Sequence, residues 1–140
     1  MTKAAQERSI RTLAWLGDAH YELAIRRRLS ALGDWPVDRL DRVRAELCRA
    51  ETQAELLAAL EATLDEAESS VVARARNASL RSGGRAQRNV RAYRAATALE
   101  ALVAVWCEDA NGDRFESCLG PALDARIQLA FARSEKLKRG

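Results

Sequence analysis

Leu13-Ala14-Trp15-Leu16-Gly17-Asp18-Ala19-His20-Tyr21-Glu22-Leu23 is an apolar stretch interrupted by a Gly-Asp pair and by two carboxylates four residues apart. As a helix it projects Asp18 and Glu22 from one face, with Cβ atoms roughly 5–6 Å apart. Like charges at that spacing repel. Beside Leu13, Leu16 and Leu23, burying either one is costly unless a cation compensates. The stretch therefore predicts a helix that gives up folding energy for chemistry, and the identity of the compensating cation becomes the central question.

Around it the chain favours helix throughout. Its 140 residues hold two prolines, seven glycines and 5% aromatics, with 48% hydrophobic and 31% charged residues. Runs rich in Val, Ile or Thr are few. The expectation is an all-α, single-domain protein over residues 1–140 with a true core. Apolar spacing predicts a helix over residues 3–32, in one piece or in two meeting near Gly17. Gly33-Asp34-Trp35-Pro36 is a break suited to a helix end followed by a helix start. Further helices are expected over 37–49, 52–64, 65–77 and 90–109, the last with Leu99, Leu102, Val103 and Trp106 on its core face. Residues 79–89 read as a basic loop around Ser82-Gly83-Gly84. A final helix over 114–133 carries Gly120-Pro121, which either kinks or divides it, and residues 134–140 read as a frayed tail.

The charge is unevenly placed. The net charge is +3, yet residues 69–99 contain seven arginines and no acid, leaving the remainder about −4. A concentrated basic segment on an otherwise acidic protein points to a polyanionic partner. Arg74, Arg76, Arg81, Arg85, Arg88 and Arg94, with Asn77 and Asn89, are the candidate contacts to such a polyanion. Three cysteines without a CxxC pair and a single histidine argue against a zinc site or a disulfide framework. A reducing cytoplasm is the default compartment. No secretory core or membrane-spanning run is present.

Asp18, Glu55 and Glu100 interrupt apolar helical faces, and Glu22 is a fourth candidate. Acids brought together from separate helices form a hard-oxygen site for Mg²⁺, with Mn²⁺ as the alternative. Such an ion can activate water and stabilise a phosphoryl transition state.

The residues 13–19 segment, with its Leu-Gly-Asp core, resembles the signature helix of the ribonuclease III catalytic domain. Thr97-Ala98-Leu99-Glu100-Ala101-Leu102-Val103 resembles the second acidic motif of that family. Ala75-Arg76-Asn77-Ala78, the loop after it and Tyr93-Arg94 are similar to the corresponding region of the Mini-ribonuclease III subgroup, which has the catalytic domain without a double-stranded-RNA-binding domain. The similarity runs from about Ile10 to Leu119. The resemblance implies a dimeric helical endoribonuclease for double-stranded RNA, with Asp18 and Glu100 as catalytic, metal-binding acids and Glu22 and Glu55 assisting directly or through water. It also implies 5′-phosphate and 3′-hydroxyl products, a substrate among precursors of large-subunit ribosomal RNA, a ribosomal protein that presents this RNA, and a two-fold seam containing Leu13, Trp15 and Leu16. Full-length enzymes carry a glutamate where this chain has Ala14 and an aspartate where it has Thr97. Both departures match the subgroup and leave fewer direct ligands. Two other readings compete: a non-catalytic duplex-binding module on the same fold, and a helical interaction protein whose acids pair with arginines.

Overall fold

A computed structural model of the chain describes residues 8–81, 89–109 and 113–139, with backbone alone at 79–81 and 136–139. Among the described residues the architecture is all-helical: α1 (Ile10–Ser30), α2 (Val37–Leu47), α3 (Ala50–Leu60), a 3₁₀ turn (Glu61–Thr63), α4 (Glu66–Arg81), α5 (Val90–Glu108), α6 (Asp113–Cys118) and α7 (Gly120–Arg139).

The helix ends follow local chemistry. Ser9 caps α1, its hydroxyl accepting from the Thr12 backbone N–H at 3.1 Å. After α1 the chain turns at Gly33, whose φ of +138° disfavours any side chain, and Pro36 leads into α2. Asp65 and Glu68 form a reciprocal capping box at the start of α4: each side chain accepts from the other's backbone N–H, at 2.8 and 2.9 Å. Asn89 caps α5 by accepting from Ala92 N at 3.0 Å.

Helix α5 is the central element. From Ala101 to Trp106 every residue is buried, so this stretch of the helix is apolar all round and must be enclosed. It packs on α1, α4 and α3, and its most extensive contact is with α1. Its alanines permit close approach. Tyr21 ties α1 to the end of α2, its hydroxyl donating to the Leu47 carbonyl at 2.6 Å. Burial raises the Tyr21 pKa, so this phenol stays a neutral donor. Helix α7 closes over α2, where buried Arg39 lies 3.7 Å from the Phe131 ring centroid and 4.5 Å from that of Trp35. Its guanidinium also donates to Ser134 Oγ and the Phe131 carbonyl.

Several boundaries differ from the sequence expectation. Helix α1 runs through Gly17 unbroken. Helix α4 continues to Arg81, into the segment read as loop, and residues 82–88 lie outside the described part. The last helical region is divided just before Gly120-Pro121, where proline occupies a first-turn position that needs no N–H. Helix α7 then extends to Arg139, through the stretch read as a tail. Cys48, Cys107 and Cys118 are free and half-buried.

Candidate active site

The site begins at a helix crossing. A Cβ built on Gly17 would lie 1.6 Å from the Glu100 carbonyl oxygen and 2.4 Å from its carbon. The backbones of α1 and α5 therefore touch here, and only glycine permits it. Asp18, the next residue on α1, and Glu100 are thereby brought side by side from two helices. They share a cavity of about 300 Å³ with Ala14, Trp15, Tyr93 and Thr97. Ile10, Arg11 and Ala78 also line it, and the same three residues continue into a second hollow of about 490 Å³ that adds Ser9, Arg74 and Asn77. The two make one groove, with acids at one end and arginine and asparagine at the other.

Glu100 is half-buried, while Asp18 stands at the open lip. Burial first, then a hydrogen bond with Asp18 and its charge, push the Glu100 carboxyl up to about 8. Among the described residues no arginine or lysine forms an ion pair with Asp18 or Glu100. Two carboxylates are held together at a cost that a bound cation would relieve. Among the described residues, no group of three or more acids, histidines or cysteines is arranged to hold a metal. The arrangement is a two-carboxylate site open to water.

The other predicted acids are employed differently. Glu22 lies one turn beyond Asp18, but its Oε1 accepts from Arg26 at 2.8 Å and from Arg44 at 3.3 Å. Glu55 projects from α3 and is paired with Arg126 of α7. Neither lines the Asp18–Glu100 cavity. His20 is turned toward Glu108, with Nε2 3.1 Å from Oε2.

Of the predicted RNA contacts, Arg74 and Asn77 are exposed and line the groove. Arg76 is tied to Glu61 at 2.6 Å. Asn89 uses its side-chain carbonyl to cap α5. Arg94 is partly buried, with Nε enclosed and unpartnered. The Arg81 side chain and all of Arg85 and Arg88 lie outside the described residues. At the expected two-fold seam, Leu13 is fully buried within the protomer and has no surface to offer a partner. Leu16 is half-buried, whereas Trp15 is 74% exposed. The outer face of α1 instead runs Trp15, Ala19, Leu23, an i, i+4, i+8 series of exposed apolar side chains.

Sequence reasoning missed Arg11 as a groove residue, although its position seven residues before Asp18 places both on one helical face. It also missed Arg44 and Arg126 as partners of the outlying acids, because those pairings join separate helices. A larger hollow of about 630 Å³ lies near Trp106 and Arg114. Its buried acid, Glu68, is already satisfied by Trp106 Nε1, by Arg114 and by the Asp65 N–H, so this hollow is a structural feature of the fold.

Comparison with known proteins shows the family. The Ribonuclease III domain pattern matches residues 11–111, which include the α1–α5 crossing and both acids. The chain is 44% identical over 106 residues to a Mini-ribonuclease 3 of Desulfitobacterium hafniense, covering 76% of this chain and 66% of that protein. It is 37% identical over 113 residues to a Mini-ribonuclease 3 of Symbiobacterium thermophilum, covering 81% and 86%. A Mini-ribonuclease 3 of Brevibacillus brevis is 41% identical over 92 residues, covering 65% and 67%. With the domain pattern spanning most of the chain and Mini-ribonuclease 3 relatives at 37–44% identity, the chain belongs to the ribonuclease III family of endoribonucleases.

Proposed function

We propose that this chain is a divalent-cation-dependent endoribonuclease of the Mini-ribonuclease III kind, cleaving double-stranded RNA with Asp18 and Glu100 as its catalytic pair. One observation carries the reading: two carboxylates from different helices face each other in an open groove, and no ion pair among the described residues involves either. The donor set fits Mg²⁺ or Mn²⁺, which accept one or two protein carboxylates and complete their shell with water and substrate phosphates. When bound there, such an ion supplies water activation and charge stabilisation at phosphorus.

The protein's own part is to hold and shape. The Gly17 crossing fixes the spacing of Asp18 and Glu100. Glu100 must release its proton to act as a ligand. Thr97 lines the cavity as a neutral wall, its hydroxyl donating to the Tyr93 carbonyl at 2.9 Å. Glu22 and Glu55, engaged by arginines, are assigned an outer role through water. The free cations of the groove draw in the phosphate backbone.

The finer assignments rest on the family resemblance: 5′-phosphate and 3′-hydroxyl products, precursor large-subunit ribosomal RNA as substrate, a ribosomal protein presenting it, action in the cytoplasm by one catalytic domain, and a homodimer. The exposed Trp15–Ala19–Leu23 stripe supports a dimer seam along α1. Among the described residues, no helix is long and apolar enough to cross a membrane.

The test is cleavage of an end-labelled RNA duplex with Mg²⁺, with Mn²⁺ and with chelator. Cleavage that stops in chelator is expected. Intact duplex across all divalent ions, with binding retained, would overturn the enzymatic reading in favour of a non-catalytic duplex-binding protein.

A further inference from the structure

Arg11 occupies the middle of the groove. It lines both the hollow that holds Asp18 and Glu100 and the one that holds Arg74 and Asn77. It lies seven residues before Asp18 on α1, so the two share a face and are separated by about 10 Å along the helix axis. That is roughly the axial span of two to three phosphates of one strand.

No carboxylate among the described residues pairs with it. Arg8, Arg26, Arg28, Arg44, Arg76, Arg114, Arg126 and Arg133 all pair with carboxylates. None of the ion pairs among the described residues involves Arg11 or Arg74. The two arginines left free on the groove walls stand where a polyanion would otherwise meet two carboxylates of its own sign.

We propose that Arg11 is a substrate-positioning residue: its guanidinium grips a backbone phosphate of the strand being cut, two to three phosphates from the scissile linkage, and sets the register of the strand over Asp18 and Glu100. Arg74 extends this contact toward the far end of the groove. No ion pair among the described residues joins Arg11 to Asp18 or Glu100, so its contribution is assigned to binding and alignment. This inference rests on the duplex-cleaving reading of the site.

The experiment compares the protein with Arg11→Ala, Arg11→Lys and Arg42→Ala, the last an exposed arginine beside a separate hollow between α2 and α7. Duplex RNA binding is measured in chelator across 50–200 mM salt, cleavage by steady-state kinetics, and Mn²⁺ binding to the RNA-free protein by titration. Arg11→Ala is expected to lower the slope of log affinity against log salt by about 0.7–1. It should also raise KM several-fold more than it lowers kcat and leave Mn²⁺ affinity within two-fold. Arg11→Lys should restore most of the salt slope, and Arg42→Ala should change neither slope nor KM. An unchanged slope and KM in Arg11→Ala overturns the inference. So does a loss confined to kcat accompanied by altered Mn²⁺ binding, which would put Arg11 with the acids. If the unmodified protein neither binds nor cuts the duplex, the functional reading itself fails, and that result is distinct from either of these.

Discussion

Gly17→Ala tests whether the site depends on backbone contact between α1 and α5. In an open helix this substitution stabilises, by about 1 kcal/mol, because alanine loses less conformational freedom. Here the new Cβ would meet the Glu100 carbonyl oxygen at 1.6 Å, when Cβ contacts below 3.0 Å are essentially never seen. The obstacle is main chain, so no rotamer change can relieve it. Helices α1 and α5 must separate by more than 1 Å at the crossing. Because α5 also packs on α3 and α4, the movement spreads into the central core. Overpacking costs of 1–3 kcal/mol arise from side-chain clashes that can partly relax. A backbone clash belongs at or above the top of that range, so a net loss of about 3 kcal/mol is expected, or on the order of 10 °C in Tm. The atom displaced belongs to Glu100 itself, so Mn²⁺ affinity and cleavage should fall with stability. Thermal melts, Mn²⁺ titration and duplex cleavage measure all three. A variant that melts at or above the temperature of the parent protein would refute the close approach, and with it the account of how Asp18 and Glu100 are spaced.

The remaining predictions concern the acids. Asp18→Asn and Glu100→Gln should abolish duplex cleavage, retain duplex binding in chelator, and raise stability in metal-free buffer at pH 8 by about 1 kcal/mol or more, since each removes a like-charge contact. Cleavage at the parent rate in either variant would remove that residue from the site. Glu68 is held down to about 2, from an ordinary 4.5, by Arg114 first and then by the Asp65 N–H and Trp106. A depressed carboxyl stabilises the fold above its unfolded value and loses that contribution as pH falls through the folded one. Urea midpoints should therefore drop between pH 5 and pH 2.5, by at most about 3 kcal/mol from this group. Glu68→Gln should show a flatter profile and a lower midpoint at pH 7, and an unaltered profile would contradict the assignment. Glu55→Gln should leave Mn²⁺ affinity within two-fold and change stability by less than about 1 kcal/mol, because its pair with Arg126 is largely exposed on the acid side. Loss of Mn²⁺ binding in this variant would make Glu55 a ligand after all.

The all-helical class, the order of the helices and the pairing of Asp18 with Glu100 were legible in the sequence alone. The periodic leucines and the scarcity of proline and β-branched runs are local signals, and local signals set helix type and approximate ends. A carboxylate on an apolar face marked Asp18, Glu55 and Glu100 alike, and the resemblance of two motifs to the ribonuclease III family is what paired Asp18 with Glu100. What the tertiary structure decided lay between helices. Gly17 read as a weak point in α1, but it is the contact that lets α5 approach, since removing a Cβ matters only when another backbone fills the space. Leu13 read as part of a seam, but its side chain falls on the inward face of α1. Glu22 and Glu55 read as spare ligands, yet Arg26 and Arg44 engage the first and Arg126 the second. Arg11 read as one arginine among many until two hollows were seen to meet at it. A sequence states which charges a chain carries, but only the packing of one helix against another determines which of them remain unpaired. Along this groove, no ion pair among the described residues involves Asp18, Glu100, Arg11 or Arg74.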